Sequence, residues 1–248
     1  MFFVGSARAH ESEIITHLHG DLVGSFYDPI EKEWRWQGPA IVGTTALSSY
    51  LLFEFVDEKD PDPNREPAFG NLSRWVSGVG GYLPFALPVG FFGTGLLFPK
   101  NSVQRTEAFR TGEELAEALL FTYTITHLIK FSVRRNRPDE SNRLSFPSGH
   151  ASFTFSSAGI LAYRYPWYVG VPSLAAATAV ALTRTDLNKH FFSDISAGAG
   201  LGLLLATSVH LFHESHWKRD REKLKKTTQW FPLIDSHTLG LAITAVGY

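Results

Sequence analysis

Apolar and polar positions fall along this chain in long blocks. Six mainly apolar segments, 38–56, 74–98, 114–133, 150–165, 167–183 and 190–212, are each long enough for a helix and are separated by shorter polar stretches. The pattern predicts six helices. Residues 57–67, DEKDPDPNREP, form a polar, proline-broken loop between the first two. The third segment mixes polarity in the way of an amphipathic helix, and Pro138 predicts that this helix ends at Arg137. Six glycines and two prolines in 78–96 predict a broken or kinked helix there. The run GAGLGLLLA, 198–206, offers small residues for close helix packing. These blocks divide the chain into an N-terminal segment, 1–37, a helical domain, 38–212, and a basic C-terminal tail, 213–248. Within the tail, KRDREKLKK reads as a solvated or lipid-facing helical run, and FPLIDSHTLGLAITAVGY alternates in places as a strand does.

Composition narrows the setting. The chain has 248 residues, a formal net charge of −1 and no cysteine, which argues against nucleic acid as a partner and against disulfide or thiol chemistry. Mean hydropathy, −0.05, is low for a protein that crosses a membrane six times. Glu54, Glu114, Glu117, His127 and Lys130 lie inside the apolar segments and would each be costly facing lipid. Against that, lysines and arginines are in modest excess on the side that six spans would place away from the motifs below, as the positive-inside rule requires of an external site. Trp75, Trp167 and Trp217 lie near segment ends, where interfacial tryptophans sit. The first residues, MFFVGSARAH, end in Ala7-Arg8-Ala9 like a secretory cleavage site, although the apolar stretch is too short to act as a signal, so 1–9 reads as a possible signal remnant. Membrane embedding is the favoured expectation and a soluble periplasmic form the alternative; both put the chemistry outside the cytoplasm.

Three short stretches carry that chemistry. In KFSVRRNRP, Lys130 and Arg137 are seven residues apart, near two helical turns, and supply a compact charge and a planar fork of donors. In PSGH, Ser148 is a good helix N-cap, Gly149 lets backbone approach a ligand, and the helix start favours an anion beside His150, placed to act as a general acid. In RTDLNKHFFSD, His190 and Asp194 stand four apart, so that on a helix the carboxylate would fix the imidazole tautomer and make His190 a competent nucleophile. Arg184 precedes them in a turn that Asp186 and Asn188 favour. Singly, each has a bland reading: solvated charges, a capped turn, a structural hydrogen bond. His210, His213 and His216 recur every three residues, a spacing that drifts around a helix and suits an exposed or interfacial cluster better than a metal site.

In this order the three stretches resemble the type 2 phosphatidic acid phosphatase (PAP2) superfamily, which also includes bacterial acid phosphatases and vanadium haloperoxidases. Its signature, K-x6-R-P, P-S-G-H and S-R-x5-H-x3-D, matches here throughout except that Thr183 stands in place of serine. The resemblance implies an all-α, six-helix core bundle of the PAP2/acid phosphatase type, embedded in a membrane. His190 would form a phosphohistidine oriented by Asp194, and His150 would protonate the leaving oxygen and then activate water. Lys130, Arg137 and Arg184, with Ser148 and the Gly149 amide, would bind the phosphoryl oxygens, and no metal or cofactor would be needed; Lys189 falls outside the signature. The expected enzyme is a phosphatase of the bacterial cell envelope, an inner-membrane protein with its site facing the periplasm. Its expected substrate is a lipid phosphate, with a small phosphoester as the lesser case, and membrane lipid its expected partner. The rival expectations are a vanadium-dependent haloperoxidase, in which vanadate is cofactor rather than inhibitor, and a non-catalytic binder of phospholipid headgroups.

Overall fold

The computed structural model describes residues 34–98, 100–235 and 238–245. The possible signal remnant at 1–9 lies outside them. Six helices follow in order: α1 (Trp34–Phe55), α2 (Gly70–Leu97), α3 (Ser102–Val133), α4 (Gly149–Arg164), α5 (Trp167–Asp186) and α6 (Phe192–Thr227). Two strands, β1 (Thr228–Asp235) and β2 (Thr238–Ala245), then pair antiparallel, with Thr228 opposite Ala245 and Asp235 opposite Thr238. The backbone divides into two compact units, 1–210 and 211–248. The first is all-α, as the periodicity predicts, and the strand-like alternation of the tail becomes the hairpin of the second.

Helix boundaries depart from the apolar pattern in several places, α6 most of all, which runs to Thr227 where the segment ends at 212. α3 begins twelve residues before the apolar segment, because Asn101 caps it by accepting from the Gln104 amide at 2.8 Å although its first turns are polar. The same helix ends at Val133, not at Arg137, with Arg134 as a left-handed cap at φ 50°. α2 is one continuous helix of 28 residues with Pro84 and Pro88 inside it, where a break was expected.

The core of the first unit forms where α3, α4 and α6 meet, around Leu115, Ala118, Phe121, Ile160, Leu205, Ala206 and Val209. Its glycines set how closely backbones pack. A Cβ on Gly202 would stand 2.2 Å from the Ser152 carbonyl oxygen, and one on Gly198 2.5 Å from that of Ser148, so α6 touches α4 backbone to backbone. Glu114 and Lys130 are turned into this interior, at 0% and 7% exposure, which removes the lipid-facing cost expected of them. Much of the outer surface is apolar: Trp75, Tyr82, Leu97, Phe98 and Trp167 are all exposed.

Candidate active site

Loops at one end of α3, α4, α5 and α6 bring the three motif stretches together. Lys130, in the last turn of α3, reaches across to the PSGH turn, where its ammonium donates to the carbonyls of Leu144 at 2.7 Å and Pro147 at 2.6 Å. Lys130 therefore braces the turn. Arg137 is in the loop rather than on the helix face with Lys130; its Nε donates to Asn142 at 2.9 Å. The loop beyond it is pinned by backbone bonds from the Arg137 amide to Asn142 and from the Ser145 amide to Arg135.

Ser148 occupies the N-cap position of α4, but its hydroxyl makes no capping bond. It is fully buried and lacks any partner. Its amide donates to the Asp194 carbonyl at 2.9 Å, which ties the second stretch to the third. His150 lies in the first turn of α4 against the backbone of α2: a Cβ on Gly81 would fall 2.7 Å from its Nε2. The charges of Arg184, Arg137 and Lys130 all lie near enough to act on this imidazole.

Arg184 sits in the last turn of α5. One Nη donates to the Ser77 hydroxyl of α2 at 2.6 Å, and its Nε is buried without a partner. The tight turn after it, with Asn188 at φ 56°, returns the amides of Lys189 and His190 to the Arg184 carbonyl. His190 thus precedes α6 instead of sharing a helix with Asp194, yet the two face each other, with Nδ1 3.6 Å from Oδ2. That distance is too long for a closed hydrogen bond, and Nδ1 has no other partner. Asp194, fully buried, accepts instead from Ser145 Oγ at 2.5 Å, the Phe191 amide at 3.0 Å and Arg135 at 2.7 Å. Burial, reinforced by the nearby charges of Lys130 and Arg137 and opposed by Asp194, pushes the His190 imidazole down to about 4, so it is neutral at ordinary pH. Lys189 pairs with Asp139.

Several residues at this end had no signal in the sequence. Ser77 and Gly81 reach it from α2, and Asp57 from the end of α1. Arg135, two residues before Arg137, could have been suspected from its place in the first stretch alone. The loop 57–67 folds over the third stretch: Arg65 donates to the Thr185 carbonyl at 2.5 Å, and Asn188 to that of Asp62 at 2.8 Å. Among the described residues, no group of three histidine, cysteine or carboxylate side chains converges as a metal site requires; His210 is engaged by Glu114 at 2.9 Å.

Residues 114–218 match the family model of the PAP2 superfamily. Over 80 residues, 31% of this chain and 18% of the relative, it is 35% identical to the lipid A 1-phosphatase of Porphyromonas gingivalis. Over 112 residues, 45% of this chain and 52% of the relative, it is 30% identical to the lipid A 4'-phosphatase of Helicobacter pylori. The alignments thus span about half or less of these relatives' lengths. Among solved structures, the transmembrane PAP2 type phosphatidylglycerolphosphate phosphatase of Bacillus subtilis aligns with a TM-score of 0.47 at 20% identity, covering 81% of this chain and 96% of that one. The matched region holds all three motif stretches, from Lys130 to Asp194, and over that region the chain is similar to the PAP2 superfamily.

Proposed function

We propose that the protein is a phosphatase of the bacterial cell envelope that hydrolyses a phosphorylated lipid through a phosphohistidine on His190, without a metal. One observation carries this reading. Of six buried side-chain polar atoms without a partner among the described residues, three belong to motif residues: Ser148 Oγ, Arg184 Nε and His190 Nδ1. Buried polar groups are rarely left unpaired, and an unpaired cluster beside cations suits a site whose partner is a polyanionic ligand.

The chemistry follows from the placement. A phosphoryl group held by Arg137, Arg184, Ser148 and the Gly149 amide would have its oxygens neutralised by fixed donors. His190 Nε2 attacks phosphorus, an N–P bond forms, and the P–O bond to the leaving group breaks as His150 gives that oxygen a proton. Burial and the neighbouring cations push the His150 imidazole down to about 3, so it takes up that proton only with the anionic phosphoryl group beside it. The His190 imidazole becomes cationic, and Asp194, 3.6 Å from Nδ1, stabilises it. In the second step water gives its proton to His150 and attacks phosphorus, the N–P bond breaks, and inorganic phosphate leaves. The guanidinium and ammonium groups supply the positive charge that a metal supplies in other phosphatases.

A lipid substrate is supported by the surroundings of His150. An apolar groove of about 250 Å³ runs between α2, α4 and α5, lined by Leu83, Pro84, Leu87, Ala158, Leu161 and Ala177. It reaches Gly80, next to the Gly81 that packs on His150, so a tail carried by the leaving oxygen has an apolar path away from the site. α2 over 70–97 and α6 over 192–218 are long and apolar enough to cross a membrane. Lipid A phosphatases among the relatives fit the same substrate class.

The test is phosphate release from phosphatidic acid, phosphatidylglycerophosphate, a polyprenyl diphosphate and p-nitrophenyl phosphate in EDTA, for wild type and His190→Ala. Release that survives the chelator and disappears in the variant supports the reading. If nothing is released, a binding role follows unless vanadate-loaded protein brominates with peroxide, which would identify a haloperoxidase.

A further inference from the structure

The carboxylate behind the nucleophile is held by a chain of charges that begins outside the region matched to the family. Arg135 donates one Nη to Asp194 Oδ1 at 2.7 Å and to Ser193 Oγ at 2.6 Å, and the other Nη to Asp57 Oδ2 at 3.1 Å. Ser193 closes the ring, donating its hydroxyl to Asp57 Oδ2 at 2.5 Å and its amide to Oδ1 at 3.3 Å. The guanidinium also lies against two aromatic rings, 4.0 Å from the centroid of Phe191 and 5.2 Å from that of Phe53. Stacked on two rings and bonded to two carboxylates, Arg135 is committed to Asp194 and Asp57, whereas Arg137 keeps donors for a ligand.

We infer that Asp57 and Arg135 are positioning residues that set the basicity of His190 by acting through Asp194. The inference rests on His190 being the nucleophile. The signs alternate along the line: imidazole, Asp194 carboxylate, Arg135 guanidinium, Asp57 carboxylate. Arg135 draws Asp194 charge away from His190, and Asp57 offsets Arg135. Because both Asp194 oxygens are taken by Arg135, Ser145 and the Phe191 amide, the imidazole at 3.6 Å feels that charge mainly through space. Other groups face His190 as well: Lys130 from α3, Arg137 from the loop, Arg184 from α5 and His150 from α4. Glu58 and Arg65 line the small cavity beside it together with Asp57. None of these breaks the alternation, so each link has a predicted sign. A brace that only holds the loop in place has none.

The experiment is the titration of the His190 ring by NMR of protein carrying 13C-labelled histidine, with the resonance assigned by His190→Asn. Arg135→Gln moves the titration up by about one pH unit, the scale expected for one close charge. Asp57→Asn, which removes charge at nearly the same shape, moves it down, and Arg135→Lys leaves it near the wild-type position. Movement in the same direction in Arg135→Gln and Asp57→Asn, or in neither, overturns the inference. Should Arg135→Gln fail to fold, Asp57→Asn decides alone: a downward shift supports the relay, and an unmoved or raised titration overturns it. Phosphate release is measured on the same samples. An inactive wild type with the expected titrations would overturn the phosphatase reading and leave the electrostatic relay standing.

Discussion

Two buried polar clusters share α3, α4 and α6 and sit toward opposite ends of them. Near the start of α3, Glu114 is fully buried and accepts from Arg164 at 2.7 Å, while its second oxygen contacts His210 at 2.9 Å. Arg164 also bonds Thr111 and pairs with Glu107, and Tyr163 stacks on His210. At the other end are Lys130, His150, Arg184, His190 and Asp194. Both clusters mix acids, cations and histidine in low exposure. They differ in closure: the Glu114 carboxylate is matched on both oxygens, whereas Ser148, Arg184 and His190 each keep a buried atom unpaired. Composition alone would not tell a strut from a site, and satisfaction does.

The largest break in this comparison comes from truncating each cluster. His190→Ala is expected to lose on the order of 10³-fold or more in kcat while melting no lower than wild type. Glu114→Ala is expected to do the reverse. It removes the buried carboxylate that Arg164 and His210 share, leaves Arg164 with Glu107 and Thr111, and costs about 1–3 kcal/mol of stability, with kcat per folded molecule little changed. Melting curves and initial rates on the same preparations check both; a Glu114 variant that stays stable but loses turnover would reverse the assignment.

A subtler break leaves every charge in place. Gly81→Ala puts a methyl group where the His150 ring lies, with the ideal Cβ 2.7 Å from Nε2. A ring displaced by about an ångström should cost roughly 10²-fold in kcat. The same substitution at Gly78, where nothing lies within 4 Å of the added Cβ, should be neutral in a rate assay.

Acid should also separate the two ends. His190 is held at about 4 against an ordinary 6.5, so as pH falls through that window the unfolded chain takes up a proton that the folded site resists. Stability contributed by the neutral ring is present above 6.5, falls between 6.5 and about 4, and is lost below that, by up to about 3 kcal/mol. Melting temperature followed against pH should fall less steeply in His190→Asn than in wild type, and equal slopes would contradict the assignment.

The smallest effect sharpens the contrast from the ligand side. Inorganic phosphate or vanadate at a hundred times its dissociation constant should stabilise the protein by about 2.7 kcal/mol. That shift should vanish in Arg184→Gln and persist in Glu114→Gln. Its survival in the Arg184 variant would move the anion site elsewhere.

How much of this was legible beforehand depended on range. The cations and histidines of the three stretches announce themselves because their spacing is local. Hydropathy placed all six helices, yet it missed the polar start of α3, where the capping side chain of Asn101 outweighs the absence of an apolar stripe. The early end of that helix, at a left-handed Arg134, was hidden because arginine carries no signal for that conformation. Pairing His190 with Asp194 on one helix was the wrong geometry for a correct neighbourhood: a turn, not a helical face, brings them together. Asp57, Ser77 and Gly81 were invisible since the groups they touch lie about 70 residues or more along the chain, beyond the reach of any local pattern.

The contact between Gly81 and His150 also bears on how the protein can be taken apart. Residues 114–218 include every signature group, and a fragment cut at 114 would look complete on paper. It would lack the α2 backbone against His150, the Ser77 hydroxyl on Arg184, and the Asp57 carboxylate behind Arg135. Modularity here stops short of the signature. Any chimera that borrows this signature segment must bring its first two helices along, or supply another surface as flat as a glycine.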